Sequence, residues 1–434
     1  IEAAIFAREF IPAGRYLRAC GRPFHQVNNC FLFRAEDSRE DWADAVWKAS
    51  ASLMTGGGIG FDYSRVRPFG RIIRRTGGFA TGPIALANMV NENGRYVMQG
   101  GQRRSAIWGG LSWWHPDVFA QAIPEGNSYP GWIYLKDWPK TLRAAKEGDL
   151  TFPLPMELTN ISVVYDTAFF VLMKGADSVE MTSPWGEKLT LTRALAEKVW
   201  AANCAQAFKT AEPGMSFNFG RDDESLRNAC CEVVSADDSD KCNLGTIWIN
   251  RIRDAAHMRE TARLGTIFLL CGGIYSHVPT EEVREVGNKN NRIGLGLGGI
   301  DEWLQARGHP YRVVSELHHL LAAYRDESDS AAFEWADKLK VSPPIGRRAI
   351  APNGTIGILA ETTTGIEPLF CKAYKRRYHD GGKWKHQFVV DGAAKRLLDA
   401  GVDPKKIRDA YDLEFEQRVK LQADVQAYVD MAIS

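Results

Sequence analysis

Asn228, Cys230 and Glu232 stand at alternating positions in Asn228-Ala229-Cys230-Cys231-Glu232, and a further thiol, Cys242, follows twelve residues after Cys230. On an extended or tightly looped backbone this spacing aims an amide, a thiol and a carboxylate the same way. A thiol beside a carboxylate and an amide is odd equipment for a hydrolase. It suits redox or radical chemistry on a polar, hydroxylated substrate. Adjacent cysteines close only a strained ring, so at least one of Cys230 and Cys231 acts singly or is inert. The bland alternative is a chance grouping on a strand.

Three further segments carry possible chemistry. Ala351-Pro352-Asn353-Gly354-Thr355-Ile356-Gly357 follows a strand-like stretch and would turn backbone N–H groups and a hydroxyl toward an anion at a helix N-terminus; otherwise it is an ordinary Pro-Asn-Gly turn. Gly100-Gly101-Gln102-Arg103-Arg104-Ser105-Ala106 joins backbone freedom to two guanidinium groups, which suits a loop reading a phosphate or a base edge, or a solvated basic turn. Gly294-Leu295-Gly296-Leu297-Gly298-Gly299 lacks the spacing of a dinucleotide fingerprint, and close packing of a strand onto a helix over 300–306 explains it better.

The elements that must position these residues interleave along 434 residues with 45% hydrophobic content. Cys30-Phe31-Leu32-Phe33 reads as a short buried strand. Ser38 opens a helix with Asp41 in a capping-box position, and Gly56-Gly57-Gly58 ends it. Pro83 starts another helix toward Met98. Helices are expected over 191–207, 259–275 and 315–340, and a last one from Asp403-Pro404 to the C-terminus, with a break allowed. Strands are expected near 161–164, 215–218, 247–249, 292–296 and 349–350. The alternation predicts one α/β unit, either a closed barrel or a doubly wound sheet.

The charge balance, 54 Lys+Arg against 53 Asp+Glu, leaves a net +1. No global field favours nucleic acid or an anionic membrane, and no apolar run is long enough to span a bilayer. Eight cysteines without a C-x-x-C pair, with only nine histidines, argue against a disulfide scaffold and a zinc site. Cys204, Cys271, Cys371 and Cys20 are expected to be small buried hydrophobes in a reducing cytoplasm.

Taken in order, the motifs resemble those of ribonucleotide reductase catalytic subunits, most closely the adenosylcobalamin-dependent class II. Phe10-Ile11-Pro12-Ala13-Gly14-Arg15 is similar to the family's L-P-G-G-R, with Ala13 departing from it. Asn28-Asn29-Cys30-Phe31 resembles S-N-C. Gly56-Gly57-Gly58-Ile59-Gly60-Phe61 with Ser64-Arg65-Val66-Arg67-Pro68 resembles G-G-G-x-G-F-x-x-S-x-x-R-P. Then follow residues 99–106, His115-Pro116-Asp117, Asn228-x-Cys230-x-Glu232, Cys242-Asn243-Leu244, Arg292-Ile293-Gly294-Leu295-Gly296, Pro352-Asn353-Gly354-Thr355-Ile356 and Gly365-Ile366-Glu367-Pro368.

The resemblance implies one domain over residues 1–434, a ten-stranded α/β barrel with the Cys230 segment as a finger loop through its centre. It implies that Cys230 is the thiyl-radical cysteine, Glu232 the general base on the ribose 3′-OH, and Asn228 a hydrogen-bonding partner of the sugar. Cys30 and Cys242 would help expel the 2′-OH as water and end as a disulfide. Pro12, Ala13, Asn29, Pro352, Asn353, Gly354, Thr355 and Ile356 would hold the nucleotide and its phosphates. Asp37, with Gln102, Arg103 and Arg104, would meet a deoxynucleotide effector or read the base. Adenosylcobalamin would be the cofactor, with no resident metal among the side chains. An external dithiol would be the reductant and the protein a monomer or homodimer.

No ATP-cone segment precedes Ile1 and no C-terminal cysteine pair is visible, so an activity switch and a swinging redox tail are not expected. The forms Gly-Gly-Gly-Ile-Gly and Pro-Asn-Gly-Thr-Ile favour class II over a class I large subunit that takes its radical from a metal-containing partner. A glycyl-radical acyltransferase would need a glycyl-radical segment. A nucleotide-binding homologue without activity would have lost one of the five residues Cys30, Asn228, Cys230, Glu232 and Cys242. Cys231 is expected to be a spectator.

Overall fold

The Cys30–Arg34 strand alternates between two kinds of neighbour, and that alternation organises the sheet around it. A computed structural model describes residues 1–98, 104–119, 121–122, 128–218, 220–380 and 383–434. The chain is mixed α/β and divides into two compact units, one formed by Asn29–Lys241 and His277–Gly287, the other by Ile1–Asn28, Cys242–Ser276 and Asn288–Ser434. Among the described residues no helix is long and apolar enough to cross a membrane.

In the unit that begins at Asn29, five parallel strands lie in the order Cys30–Arg34, Gly58–Asp62, Ile107–Ser112, Thr159–Tyr165 and Gly214–Phe217. Phe31, Phe33, Ile59, Phe61, Ile107, Ile161 and Val163 face one way into an aromatic core with residues of the Arg39–Met54, Gly82–Tyr96 and Arg193–Thr210 helices. Most of the alternate positions carry small or polar groups, with Leu32, Trp108 and Val164 as exceptions. Register places Cys30 beside Gly58, Gly60 beside Trp108, and Gly110 beside Ser162. Helices cover the first face; the second is left for a backbone segment that needs room.

Local signals set the helix ends. The Ser38 hydroxyl accepts the Asp41 N–H at 3.0 Å, as the capping pattern predicts. The last turn closes through Gly56 N–H to the Leu53 carbonyl, with Gly56 in the left-handed region at φ 94°. The His115-Pro116-Asp117 motif is structural in this unit. Buried Asp117 accepts the Phe69 N–H at 3.0 Å, and the His115 ring bonds the Val66 carbonyl at 2.9 Å. Burial holds the His115 imidazole down at about 4, so it stays neutral.

In the other unit, Phe10–Pro12 runs antiparallel to the Asp240–Trp248 strand, and Ile293–Gly298 runs parallel to it. Single bridges, Leu295 with Arg348 and Ile350 with Ile433, extend this arrangement in place of the full strand expected at 349–350. The glycine run at 294–299 serves packing. A Cβ on Gly296 would lie 2.7 Å from the Ala349 carbonyl oxygen, and the run leads directly into the Ile300–Ala306 helix.

Two further sequence expectations need correction. The helix expected from Asp403 is replaced by a turn, because the Asp403 side chain accepts the Lys405 N–H at 3.0 Å and its carbonyl accepts the Lys406 N–H. Helix begins only at Phe415–Gln426, where Glu414 and Gln417 form a capping box. The spare cysteines are also not core residues: Cys20 is exposed, Cys204, Cys271 and Cys371 are half-buried, and the buried thiols are Cys30 and Cys242.

The tightest constraint on the sheet is at Gly60, where a Cβ would fall 1.9 Å from the Arg227 carbonyl oxygen. Gly60→Ala is therefore expected to destabilise the protein by about 3 kcal/mol and to displace the turn that follows Arg227. Urea unfolding and the rate of maleimide labelling of Cys231 check this. An unchanged midpoint and labelling rate would mean that the two backbones can part without cost.

Candidate functional site

Arg227 anchors the site. Leu226–Arg227 pairs antiparallel with Val234–Ser235, and this short hairpin lies against the Cys30, Gly58 and Ile107 strands. The Arg227 guanidinium is buried. It donates to the carbonyls of Glu224, Leu226 and Phe217 and to the Asn218 side chain. Burial lowers it to about 10, so it stays charged at neutral pH. Ser225 adds a hydroxyl bond to Asp62 at 2.5 Å. On the return, Asp238 accepts the Arg34 N–H at 2.7 Å and the Lys48 ammonium at 3.0 Å.

Between the two strands of the hairpin, residues 228–233 fold into a turn. The Cys231 N–H bonds the Asn228 carbonyl at 3.1 Å, and the Asn228 side chain closes the turn by accepting the Val233 N–H at 3.0 Å. The same side chain donates from Nδ2 to Cys30 Sγ at 2.9 Å. One carboxamide therefore fixes the turn and reaches a thiol on the sheet. Cys231 takes the left-handed conformation, φ 69°, that the turn requires.

This turn breaks the alternation expected for the cluster. Asn228 and Glu232 are buried, while Cys230 is exposed. Cys231 packs toward the Ser162 and Trp108 side chains, and burial pushes its thiol up to about 12 despite the pull of Arg227. It is a neutral, weakly nucleophilic thiol at physiological pH. The Glu232 carboxyl is 1% exposed, and its Oε2 makes no hydrogen bond among the described residues. Burial raises it to about 7, against the opposing pull of the Asn228 amide and its own backbone N–H. The turn thus offers an accessible thiol and a carboxylate poised to exchange a proton near neutrality.

The remaining expected site residues fall as follows. Cys30 joins Asn228, Cys230 and Glu232 in the same unit, and there the Asn29 carbonyl accepts the Gly58 N–H at 2.8 Å. Asp37 is paired with Arg67 at 2.6 Å, so any ligand of Asp37 competes with a guanidinium. Arg104 is exposed. Gln102 and Arg103 lie outside the described residues.

In the other unit, Cys242 is buried, with Sγ donating to the Asn243 carbonyl at 3.3 Å. Pro12, Ala13 and Asn353 collect along the strand that carries Cys242. Pro12 lies opposite Gly245, the Ala13 N–H donates to the Leu244 carbonyl at 2.9 Å, and Asn353 Nδ2 donates to Thr246 Oγ1 at 2.7 Å. The Pro352 carbonyl accepts the Gly354 N–H at 3.0 Å, and Gly354, Thr355 and Ile356 open the Gly354–Ala360 helix, as a strand–turn–helix reading predicts. The sequence reading missed Arg227 and the Trp108–Ser162 pair. An arginine directly before Asn228 was a visible signal; the pair, 54 residues apart, left none.

Glu232 makes stability depend on pH. Its folded-state value, about 7, lies above the ordinary 4.5, so the folded protein holds this proton more tightly than the unfolded chain. Its contribution is neutral below the ordinary value, falls as pH rises, and reaches a penalty of about 3 kcal/mol above pH 7. Glu232→Gln is expected to be stabilising by that order at pH 8 and near neutral at pH 4, measured by urea unfolding across the range. A difference that stays flat with pH would contradict the buried, raised carboxyl.

Comparison with known proteins identifies the family of the chain. The family described as "Ribonucleotide reductase, barrel domain" matches residues 28–122, 185–319 and 347–434. The chain is similar to the vitamin B12-dependent ribonucleoside-diphosphate reductase of Thermoplasma acidophilum, at 28% identity over 100% of this chain and 60% of the relative. It is 25% identical to the protein of the same name from Mycobacterium tuberculosis, over 98% of this chain and 65% of the relative. The ribonucleoside-diphosphate reductase large subunit of Caenorhabditis elegans is 24% identical over 66% of this chain and 39% of its own length. The chain thus spans about 60% of the length of the first curated relatives it matches. With the matched segments carrying the Cys30 strand, the Asn228–Glu232 turn, Cys242 and the Pro352 turn, the chain belongs to the ribonucleotide reductase family and bears its barrel domain.

Proposed function

We propose that the protein reduces ribonucleotides to 2′-deoxyribonucleotides by thiyl-radical chemistry with adenosylcobalamin as cofactor. The observation that carries this is the Asn228–Glu232 turn. It presents an exposed thiol, a buried carboxylate held near neutrality with an unpaired oxygen, and an amide tied to a second thiol. The names of the vitamin B12-dependent relatives support the cofactor, and so does Cys230, because a radical formed on a bound group must reach an accessible S–H, unlike those of Cys30 and Cys242. When bound, adenosylcobalamin supplies the initiating radical by homolysis of its cobalt–carbon bond.

The protein's own residues then divide the work. Cys230 takes the ribose 3′-hydrogen and later returns a hydrogen atom to the same carbon. Glu232 accepts the 3′-OH proton through its unpaired Oε2 while Asn228 orients the sugar. Cys30 and Cys242 together supply two electrons and two protons: one proton leaves with the 2′-OH as water, the other hydrogen replaces the hydroxyl on C2′, and the two sulfurs end as a disulfide. An external dithiol returns them to thiols. Pro12, Ala13, Asn29 and residues 352–356 bind the nucleotide and its phosphates. Asp37, with Gln102, Arg103 and Arg104, is the place for a deoxynucleotide effector, where it displaces Arg67. We read the whole as the family's ten-stranded barrel with the Cys230 turn as its central finger, acting in the cytoplasm as a monomer or homodimer.

Anaerobic incubation in dim light with adenosylcobalamin, dithiothreitol and cytidine di- or triphosphate is expected to yield the deoxycytidine nucleotide. Cys230→Ala abolishes it. Glu232→Gln lowers turnover by about 100-fold or more, whereas Cys231→Gly retains it and relieves about 1 kcal/mol of left-handed strain. Product that forms without cobalamin, and only with a metal-containing partner, would replace this reading with a class I one.

Turnover is also expected to rise through a midpoint near pH 7, because Glu232 acts as its anion. Asn228→Ala moves that midpoint upward, since the lost hydrogen bond favoured the charged form. A profile flat from pH 6 to 8 would remove Glu232 from the role of base.

A further inference from the structure

The Ala373–Asp380 and Lys383–Val390 strands form an antiparallel ribbon that sets Lys375 opposite Phe388, Arg377 opposite His386, and His379 opposite Trp384. By the two-residue period of a strand these six side chains share one face. All six residues are exposed, Trp384 by 45% and Phe388 by 84%. No carboxylate stands among them. Asp380 occupies the opposite face and pairs with Lys385 at 2.6 Å, the one ion pair within the ribbon among the described residues.

The charge is concentrated here. Lys375, Arg376, Arg377, Lys383 and Lys385 against Asp380 leave these strands at net +4, in a chain whose total is +1. The near-zero total that argued against nucleic acid averages this patch away. Cations and rings are also interleaved: the Arg377 guanidinium lies 4.4 Å from the Trp384 ring centroid and the Lys375 ammonium 5.8 Å from that of Phe388. A ribbon face with a purely structural role buries its aromatic rings against a core. This one presents them to water beside unneutralised cations.

We propose that this face binds single-stranded nucleic acid, with Lys375 and Arg377 on backbone phosphates and Trp384 and Phe388 stacking on unpaired bases. Alternate residues of a strand are roughly 6.8 Å apart, comparable to the phosphate spacing of an extended single strand. Ring faces that stand free in solvent stack on unpaired bases, whereas the bases of a duplex are already stacked on each other. An acidic peptide would use the cations and leave the rings idle.

The test is fluorescence anisotropy of the full chain with a labelled oligothymidylate longer than the ribbon's reach of roughly 27 Å, over a range of salt. Saturable binding is expected. The double variant Lys375→Gln, Arg377→Gln weakens it and lowers the slope of log K against log salt by about 1.4, since each lost single-strand phosphate contact removes about 0.7. Trp384→Ala weakens it about ten-fold with the slope unchanged. Circular dichroism and melting temperature establish that each variant is folded.

Absence of binding overturns the proposal. So does tighter binding to a duplex of the same length, equal competition by polyglutamate, or binding to phosphatidylglycerol vesicles that the oligonucleotide does not displace. Insensitivity to Trp384→Ala reduces the face to a non-specific polyanion surface, and this too overturns the proposal.

Discussion

The Arg227 carbonyl oxygen occupies the space that any side chain at position 60 would need, and the chemistry of the site depends on that close approach. Gly60 and Gly58 open a trough in one face of the parallel sheet, so a backbone hairpin can lie where side chains ordinarily stand. With the hairpin down, the Asn228 amide comes within hydrogen-bond reach of Cys30. The opposite face can afford this vacancy because it is densely filled by Phe31, Phe33, Phe61 and the helices behind them.

Burial then assigns different characters to neighbouring groups along a few residues of chain. Arg227 keeps its charge because backbone carbonyls and Asn218 surround it. Cys231, turned toward Trp108 and Ser162, is forced to stay a neutral thiol. Cys230, one residue away, faces solvent. The left-handed conformation at Cys231 is what separates two adjacent thiols into an inert one and an accessible one. Conformation, not residue type, makes that distinction.

Much of this was legible in the sequence for identifiable reasons. Ser38 with Asp41 and the glycines after Thr55 are local devices, so they could be read without knowing the fold. The Asn228, Cys230 and Glu232 grouping was visible because its members are close in sequence. Their orientations were not, since those follow from the Asn228–Val233 bond and the turn at Cys231. The need for glycine at position 60 was illegible because its reason, Arg227, lies far along the chain. The helix expected at Asp403 failed on a competition between side-chain and backbone acceptors that periodicity does not register. The Ala373–Asp380 ribbon escaped because neither of its faces is packed into a core, which removes the apolar alternation by which strands are recognised.

With its midpoint raised by burial to about 7, the Glu232 carboxyl is committed to neither its protonated nor its ionised form in neutral solution. The turn therefore has no single electrostatic ground state. A single water molecule admitted or expelled beside Oε2, or one hydroxyl brought against it, is enough to tip the balance in either direction. Sensitivity of this kind belongs to a group left unpaired in a dry place, and a fully satisfied salt bridge at the same position would lack it.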